Sequence, residues 1–169
     1  MQQNLKERHI TKLANGNLYG LALVLSNDKR NVNGRIIKAS HKGLANMSGK
    51  LGALLGYPCG EVNPVYKSGE PSFNICNVIG TLEGYAVKRV GNDVHVYVEV
   101  KPSPFMASLS PTCNYMFTSY CNLIYAGEED TFILENILTI NAVPILGYDF
   151  RLDKGGPAAL GNIEKITPL

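Results

Sequence analysis

Tryptophan is absent from these 169 residues, histidine occurs three times, and charged residues make up only 18% of the chain. Without tryptophan, and without a Lys/Arg cluster interleaved with aromatics after residue 42, sequence-specific nucleic-acid binding has little support. No apolar run is long enough to cross a bilayer, so no membrane span is expected and the chain reads as soluble. The N-terminus, with Lys6, Glu7, Arg8 and Lys12 among polar residues, lacks the apolar core and small-residue cleavage site of a signal peptide, which gives the expectation of an intracellular product. Cysteine is scarce too. Cys59, Cys76, Cys113 and Cys121 form no CxxC pair and have no histidine cluster nearby, so neither a zinc knuckle nor a thioredoxin-like site is indicated and buried free thiols are expected. No cofactor is indicated. Glu128-Glu129-Asp130 could coordinate a hard cation, but three consecutive acids in a turn between strands read as solvated, so no metal is expected either.

What is present is a globular composition, 45% hydrophobic, in a length that suits one domain with a single core. The net charge of +2 hides a gradient. Residues 1–42 hold eight Lys/Arg against two acids, residues 43–126 five against five, and residues 127–169 three against seven. A solvated surface accounts for such a gradient, and opposite charge at the two ends would also suit head-to-tail packing between copies.

Leu18 to Leu25 is short, apolar and stopped by Ser26-Asn27-Asp28, the pattern of a buried strand ending in a polar turn. From Arg35 to Leu55, apolar residues recur mostly at three- and four-residue spacings, which predicts an amphipathic helix. Gly43, Gly49 and Gly52 each weaken it by about 1 kcal/mol relative to alanine. The helix is therefore either broken in two or packed closely through its glycines. Residues 79–100 predict a hairpin: Tyr85 to Val90, a two-residue turn at Gly91-Asn92, then Asp93 to Val100. In its second strand Val94, Val96, Val98 and Val100 alternate with His95, Tyr97 and Glu99, so one face is buried and the other at least partly wet. Lys101-Pro102-Ser103-Pro104 ends it, since proline cannot donate to a ladder. A mixed stretch, 105–121, follows, in which a short helix would fit. Thr131 to Ile140 and Ala142 to Leu146 predict further β-structure broken near Pro144. The tail from Lys154-Gly155-Gly156-Pro157 onward reads as an extended arm.

Taken in order, these segments resemble the prohead maturation protease family of tailed phages, serine proteases of capsid assembly that are distantly akin to the herpesvirus assemblins. Asn27-Asp28-Lys29-Arg30-Asn31-Val32-Asn33-Gly34-Arg35-Ile36-Ile37 resembles the family's Asn/Arg-rich turn into its first helix. Gly60-Glu61-Val62-Asn63-Pro64 stands where the family has Gly-Glu-Leu-Asn-His-Pro or a close variant, and the hairpin follows at about the right distance. Thr118-Ser119-Tyr120-Cys121 falls at the family's Ser-Ser-Arg-Gly-like nucleophile segment, and Thr131 to Val143 resembles its closing strands. The likeness spans roughly residues 18–150 and rests on the order of short motifs.

The resemblance implies an α+β fold: a single domain with an antiparallel, partly barrel-like sheet, one or two helices packed on it, and extended terminal arms. Its expected bounds are 1–14 for the N-terminal arm, 15–151 for the protease-like domain and 152–169 for the C-terminal arm. It also places the family's chemistry in doubt. A serine hydroxyl is a poor nucleophile unless a base lies within hydrogen-bond reach, and the histidine that serves the family is replaced here by Asn63-Pro64, which cannot accept a proton at neutral pH. The family's Arg-Gly after the nucleophile is Tyr120-Cys121, which removes the small residue of an oxyanion hole. Ser119 is thus a vestigial candidate. A displaced dyad would use Ser119 or Cys121 with His95, because His9 and His41 have no evident route to either.

The expectation is therefore a catalytically silent relative of the protease that serves as a structural component of a phage head. It would bind the major capsid protein as a decoration or cement protein in repeated copies, reside in the virion, and assemble in the host cytoplasm. The alternatives are an active maturation protease with a displaced dyad, and a small α+β binding module.

Overall fold

The computed structural model describes residues 10–31, 34–60, 65–67, 70–72, 78–104, 115–144 and 159–164. In chain order the elements are β1 (Thr11–Lys12), β2 (Leu18–Leu25), β3 (Ile36–Ala39), α1 (His41–Ala53), β4 (Pro58–Gly60), β5 (Val65–Lys67), β6 (Glu70–Ser72), β7 (Val78–Val90), β8 (Asp93–Pro102), β9 (Tyr115–Tyr125), β10 (Thr131–Pro144) and β11 (Ala159–Glu164). The fold is α+β, with one helix among the described residues and a mostly antiparallel sheet.

The main sheet runs β1-β2-β8-β7-β4-β10-β9-β11, with β3 pairing β10 beside the β4 contact; β5 and β6 form a separate ribbon. The hairpin is the element that alternation specifies most fully. Val96, Val98 and Val100 are completely buried and Val94 nearly so, while His95, Tyr97 and Glu99 are half-buried on the other face. Gly91 turns the chain with φ of 61°, a conformation that costs glycine least. Both strands are longer than expected, reaching Val78 and Pro102. β2 matches its expected bounds and is buried on both faces from Gly20 to Leu25, as its unbroken apolar run requires.

The sheet is curled rather than flat. Register shifts leave Ala22, Ile79, Glu83, Glu135 and Leu138 as extra residues in their strands, and each such bulge bends its strand and increases the local twist. The curl brings the end of β2 back to β3, where the Ser26 N–H donates to the Ile37 carbonyl at 2.9 Å. A bulge also frees backbone groups from the ladder, and in two cases a side chain meets them. Lys50 Nζ donates to the Glu135 carbonyl at 2.9 Å, which ties α1 across β10, and Ser119 Oγ donates to the Ala22 carbonyl at 3.0 Å.

Several expectations are corrected. Ile36 and Ile37 do not start the helix: two adjacent β-branched residues pair in parallel with Thr131 and Phe132, and Ser40 then caps α1 by accepting from the Gly43 N–H at 2.9 Å. The helix is one piece. Met47 and Leu51 are buried, and Tyr85 OH donates to the Ser48 carbonyl from β7. Of the mixed stretch 105–121, residues 115–121 belong to β9, which pairs along its length with β10, and residues 105–114, where a short helix was expected to fit, lie outside the described residues. β10 runs from Thr131 to Pro144 without the gap expected at Asn141, its irregularities being the bulges, and it ends at the proline; residues 145 and 146 lie outside the described residues. Parts of both expected arms belong to the domain itself: Ile10 is buried in the core, β1 pairs β2, and β11 pairs β9 in parallel from Ser119 to Ile124.

Within the described residues, some of the charges sorted by sign along the chain meet in the fold. Arg30 lies 3.7 Å from Asp130, the Ile36 N–H donates to the Asp130 carbonyl, and the basic 29–35 stretch therefore sits against the acidic turn at 128–130.

Candidate active site

Ser119 and Cys121 project from the same face of β9, two residues apart, and both are fully buried. Ala22, the extra residue of the β2 bulge, is fully buried as well. A buried carbonyl without a partner costs free energy comparable to a lost hydrogen bond, and the Ser119 hydroxyl supplies that bond across 97 residues of sequence. The geometry fixes what the hydroxyl can do. It donates its proton to an amide carbonyl, which is no base, so this hydrogen bond does not raise the nucleophilicity of the oxygen.

Cys121 is no better placed for attack. Burial pushes its thiol well above the ordinary range, away from the reactive thiolate. Cys59, the other cysteine among the described residues, is also free and buried, and burial raises its thiol to about 12. Cys76 and Cys113 lie outside the described residues.

His95 sits on β8, opposite Val24 of β2 and Lys88 of β7. Its ring lies 6.2 Å from that of Tyr97, which in turn stacks on Tyr19 at 5.6 Å and lies beneath Lys88 Nζ at 5.2 Å. This is the half-buried face of the hairpin, whereas Val94 and Val96 carry the core face. The structure therefore brings Ser119 and Cys121 together and places His95 among the aromatic residues of another strand. Asn63 and Pro64 lie outside the described residues, whereas the start of their motif does not: Gly60 pairs Val78 on one side and Asn141 on the other.

That junction holds polar residues that sequence reasoning passed over. Thr139 Oγ1 donates to Asn141 Oδ1 at 3.0 Å, and Asn141 faces Thr118 directly across the β9–β10 ladder. All three are buried, and among the described residues neither Asn141 Nδ2 nor Thr118 Oγ1 has a hydrogen-bond partner. The alternation of Thr139 with Asn141 along β10 is the signal that could have marked one polar face. Among the described residues no group of three or more His, Cys, Asp or Glu is placed to hold a metal ion, and no helix is long and apolar enough to cross a membrane.

In comparisons with protein-family models, curated proteins and solved structures, the chain matches none of them.

Proposed function

We propose that this chain is a non-catalytic structural protein of a tailed-phage head, built on an inactivated prohead-protease scaffold. It binds the major capsid protein as a decoration or cement protein and recurs in the virion as repeated copies. The ordered motifs of the sequence are its starting point. The observation that carries the non-catalytic part is the Ser119 hydroxyl, buried and committed to the Ala22 carbonyl. A hydroxyl used to hold a bulge is retained for architecture, and its presence at a nucleophile-like position asks for no base. Two parts of the family's chemistry are missing from the sequence, the histidine at Asn63-Pro64 and the small residue at Cys121, and each is typically worth several kcal/mol of barrier lowering.

The test has two arms. The purified protein is incubated with a serine-directed fluorophosphonate and with capsid and scaffold substrates, and separately with assembled heads. We expect no labelling, no cleavage and co-sedimentation with heads. Stoichiometric labelling at Ser119 would replace this reading with that of an active protease. Absence of both labelling and head binding would leave a binding module with other partners.

A further inference from the structure

From Gly80 to Leu82, β7 has partners on both sides: β8 on one, and β4 with the Gly56-Tyr57 backbone on the other, where Leu82 accepts from the Gly56 N–H and donates to the Tyr57 carbonyl. Beyond Leu82, among the described residues, only β8 pairs with it, and from Gly84 to Val90 its other edge is open. The turn decides which backbone groups lie on that edge. A two-residue loop such as Gly91-Asn92 closes on a hydrogen-bonded pair, here Val90 with Asp93, and antiparallel pairing alternates bonded and non-bonded pairs from there. The N–H and C=O groups of Arg89, Val87 and Tyr85 therefore point away from β8, onto the open edge. Of the large hydrophobic side chains exposed among the described residues, Val87 and Val90 lie on this edge, and Leu55 and Tyr57 lie where it begins. An open strand edge beside exposed apolar side chains is a template for another strand.

We propose that this edge pairs with the same edge of a second copy of the chain, antiparallel about a twofold axis at Val87. Side chains and charges select the register. An antiparallel edge pair must match outward-facing residues, which permits centres at Tyr85, Ala86, Val87, Lys88 or Arg89. A centre at Lys88 sets Lys88 against Lys88, and one at Arg89 sets Arg89 against Arg89; like charges directly opposite are destabilising. A centre at Tyr85 or Ala86 runs a rung into the bulge at Glu83. The centre at Val87 avoids both faults. Val87 meets Val87, Arg89 meets Tyr85 on the same face, where guanidinium and ring attract, and Lys88 meets Ala86. Lys88 itself leans toward β8, with Nζ over the Tyr97 ring at 5.2 Å. Each matched pair of outward residues exchanges two backbone hydrogen bonds, and the same register carries the second copy's Gly91-Asn92 turn to Leu55 and Tyr57. A twofold interface of this kind is self-complementary and closes at two copies. The pairing is independent of the head-protein reading, which calls for repeated copies without naming a contact between them.

The full-length chain is followed by sedimentation equilibrium over a range of micromolar concentrations, beside Val87→Lys and, under mild oxidation, Val87→Cys and Val90→Cys. We expect a monomer–dimer equilibrium for the parent. Val87→Lys sets two ammonium groups against each other at the axis and should raise the dimer dissociation constant about tenfold or more, while its circular dichroism and melt stay those of a folded chain because Val87 is already exposed. Val87→Cys should give a covalent dimer, since its two copies face each other across one rung, whereas Val90→Cys, opposite Gly84, should give no more than the parent. A strictly monomeric parent, a dimer unmoved by a folded Val87→Lys, or cross-linking through Val90→Cys equal to that through Val87→Cys would overturn the proposal. If Val87→Lys does not fold, the cysteine pair alone decides.

Discussion

Replacing Ser119 by alanine separates an architectural serine from a catalytic one, because the two roles predict opposite changes in stability. Catalytic groups are commonly held in arrangements that cost the fold something, so their removal is neutral or stabilising. An architectural hydroxyl behaves otherwise. Ser119→Ala removes only one oxygen but leaves the Ala22 carbonyl buried and unsatisfied at its bulge, a loss of about 1–3 kcal/mol. For a chain of this length that corresponds to a fall in melting temperature of roughly 2–12 °C. The adjacent residue supplies the control. Thr118 is equally buried, but its hydroxyl has no partner, so Thr118→Val removes an unsatisfied polar group and replaces it with an isosteric methyl that suits a strand. It should be neutral or stabilising. Urea unfolding of both variants, with an unchanged slope confirming that the unfolded reference is the same, gives the comparison directly. If Ser119→Ala is as stable as the parent, or if Thr118→Val loses as much as Ser119→Ala, the assignment of the hydroxyl to the bulge is wrong.

Four further outcomes follow from the packing. Val96→Asp should abolish the cooperative melt, since an unpaired charge at a fully buried position costs several kcal/mol against a total of about 5–15, whereas His95→Ala should leave a folded domain with a modestly lower melt. Truncation after Ala158 should lower the melting temperature by several degrees by removing β11 from the β9 edge; unchanged stability would show that β11 adds nothing to the isolated domain. Acid should weaken the fold as pH drops below about 4. Burial alone would raise the Asp93 carboxyl, but hydrogen bonds from Lys29 and Ser26 and the Lys29 charge hold it below the usual range, so its contribution is present above the unfolded value and lost as pH falls through the folded one; Lys29→Met should flatten that acid limb. Finally, iodoacetamide at pH 8 should leave Cys59 and Cys121 unmodified in the native protein and alkylate both in urea, read site by site by mass spectrometry.

The parts of this fold that were legible in sequence are those whose pattern is set by local burial. β2 announces itself as an apolar run ended by polar residues, and the hairpin by strict alternation on either side of Gly91-Asn92. β3 and β9 were hidden for a different reason. Ile36 and Ile37 continue the spacing of the helix that follows them, and only their parallel partners on β10, far along the chain, make them a strand. In β9, Thr118 and Ser119 are polar yet completely buried, because the strand is covered on both faces at that point. The candidate site was half legible. Sequence put Ser119 on the short list, but its acceptor is a backbone carbonyl released by a bulge in β2, and no side-chain pattern marks where a bulge will fall.

The meeting of the basic 29–35 stretch with the acidic turn at 128–130 has an electrostatic consequence of its own. Along the chain the charges are sorted by sign, which in an extended polymer would give a large dipole moment. Folding sets Arg30 beside Asp130 and Lys29 beside Asp93, so over this part of the molecule positive and negative charge share nearly the same centre. A patch whose charges cancel locally exerts little long-range field on a neighbour. An approaching molecule that meets this part of the surface is met by little net field, so contacts made there are set by shape and short-range packing and vary only weakly with ionic strength.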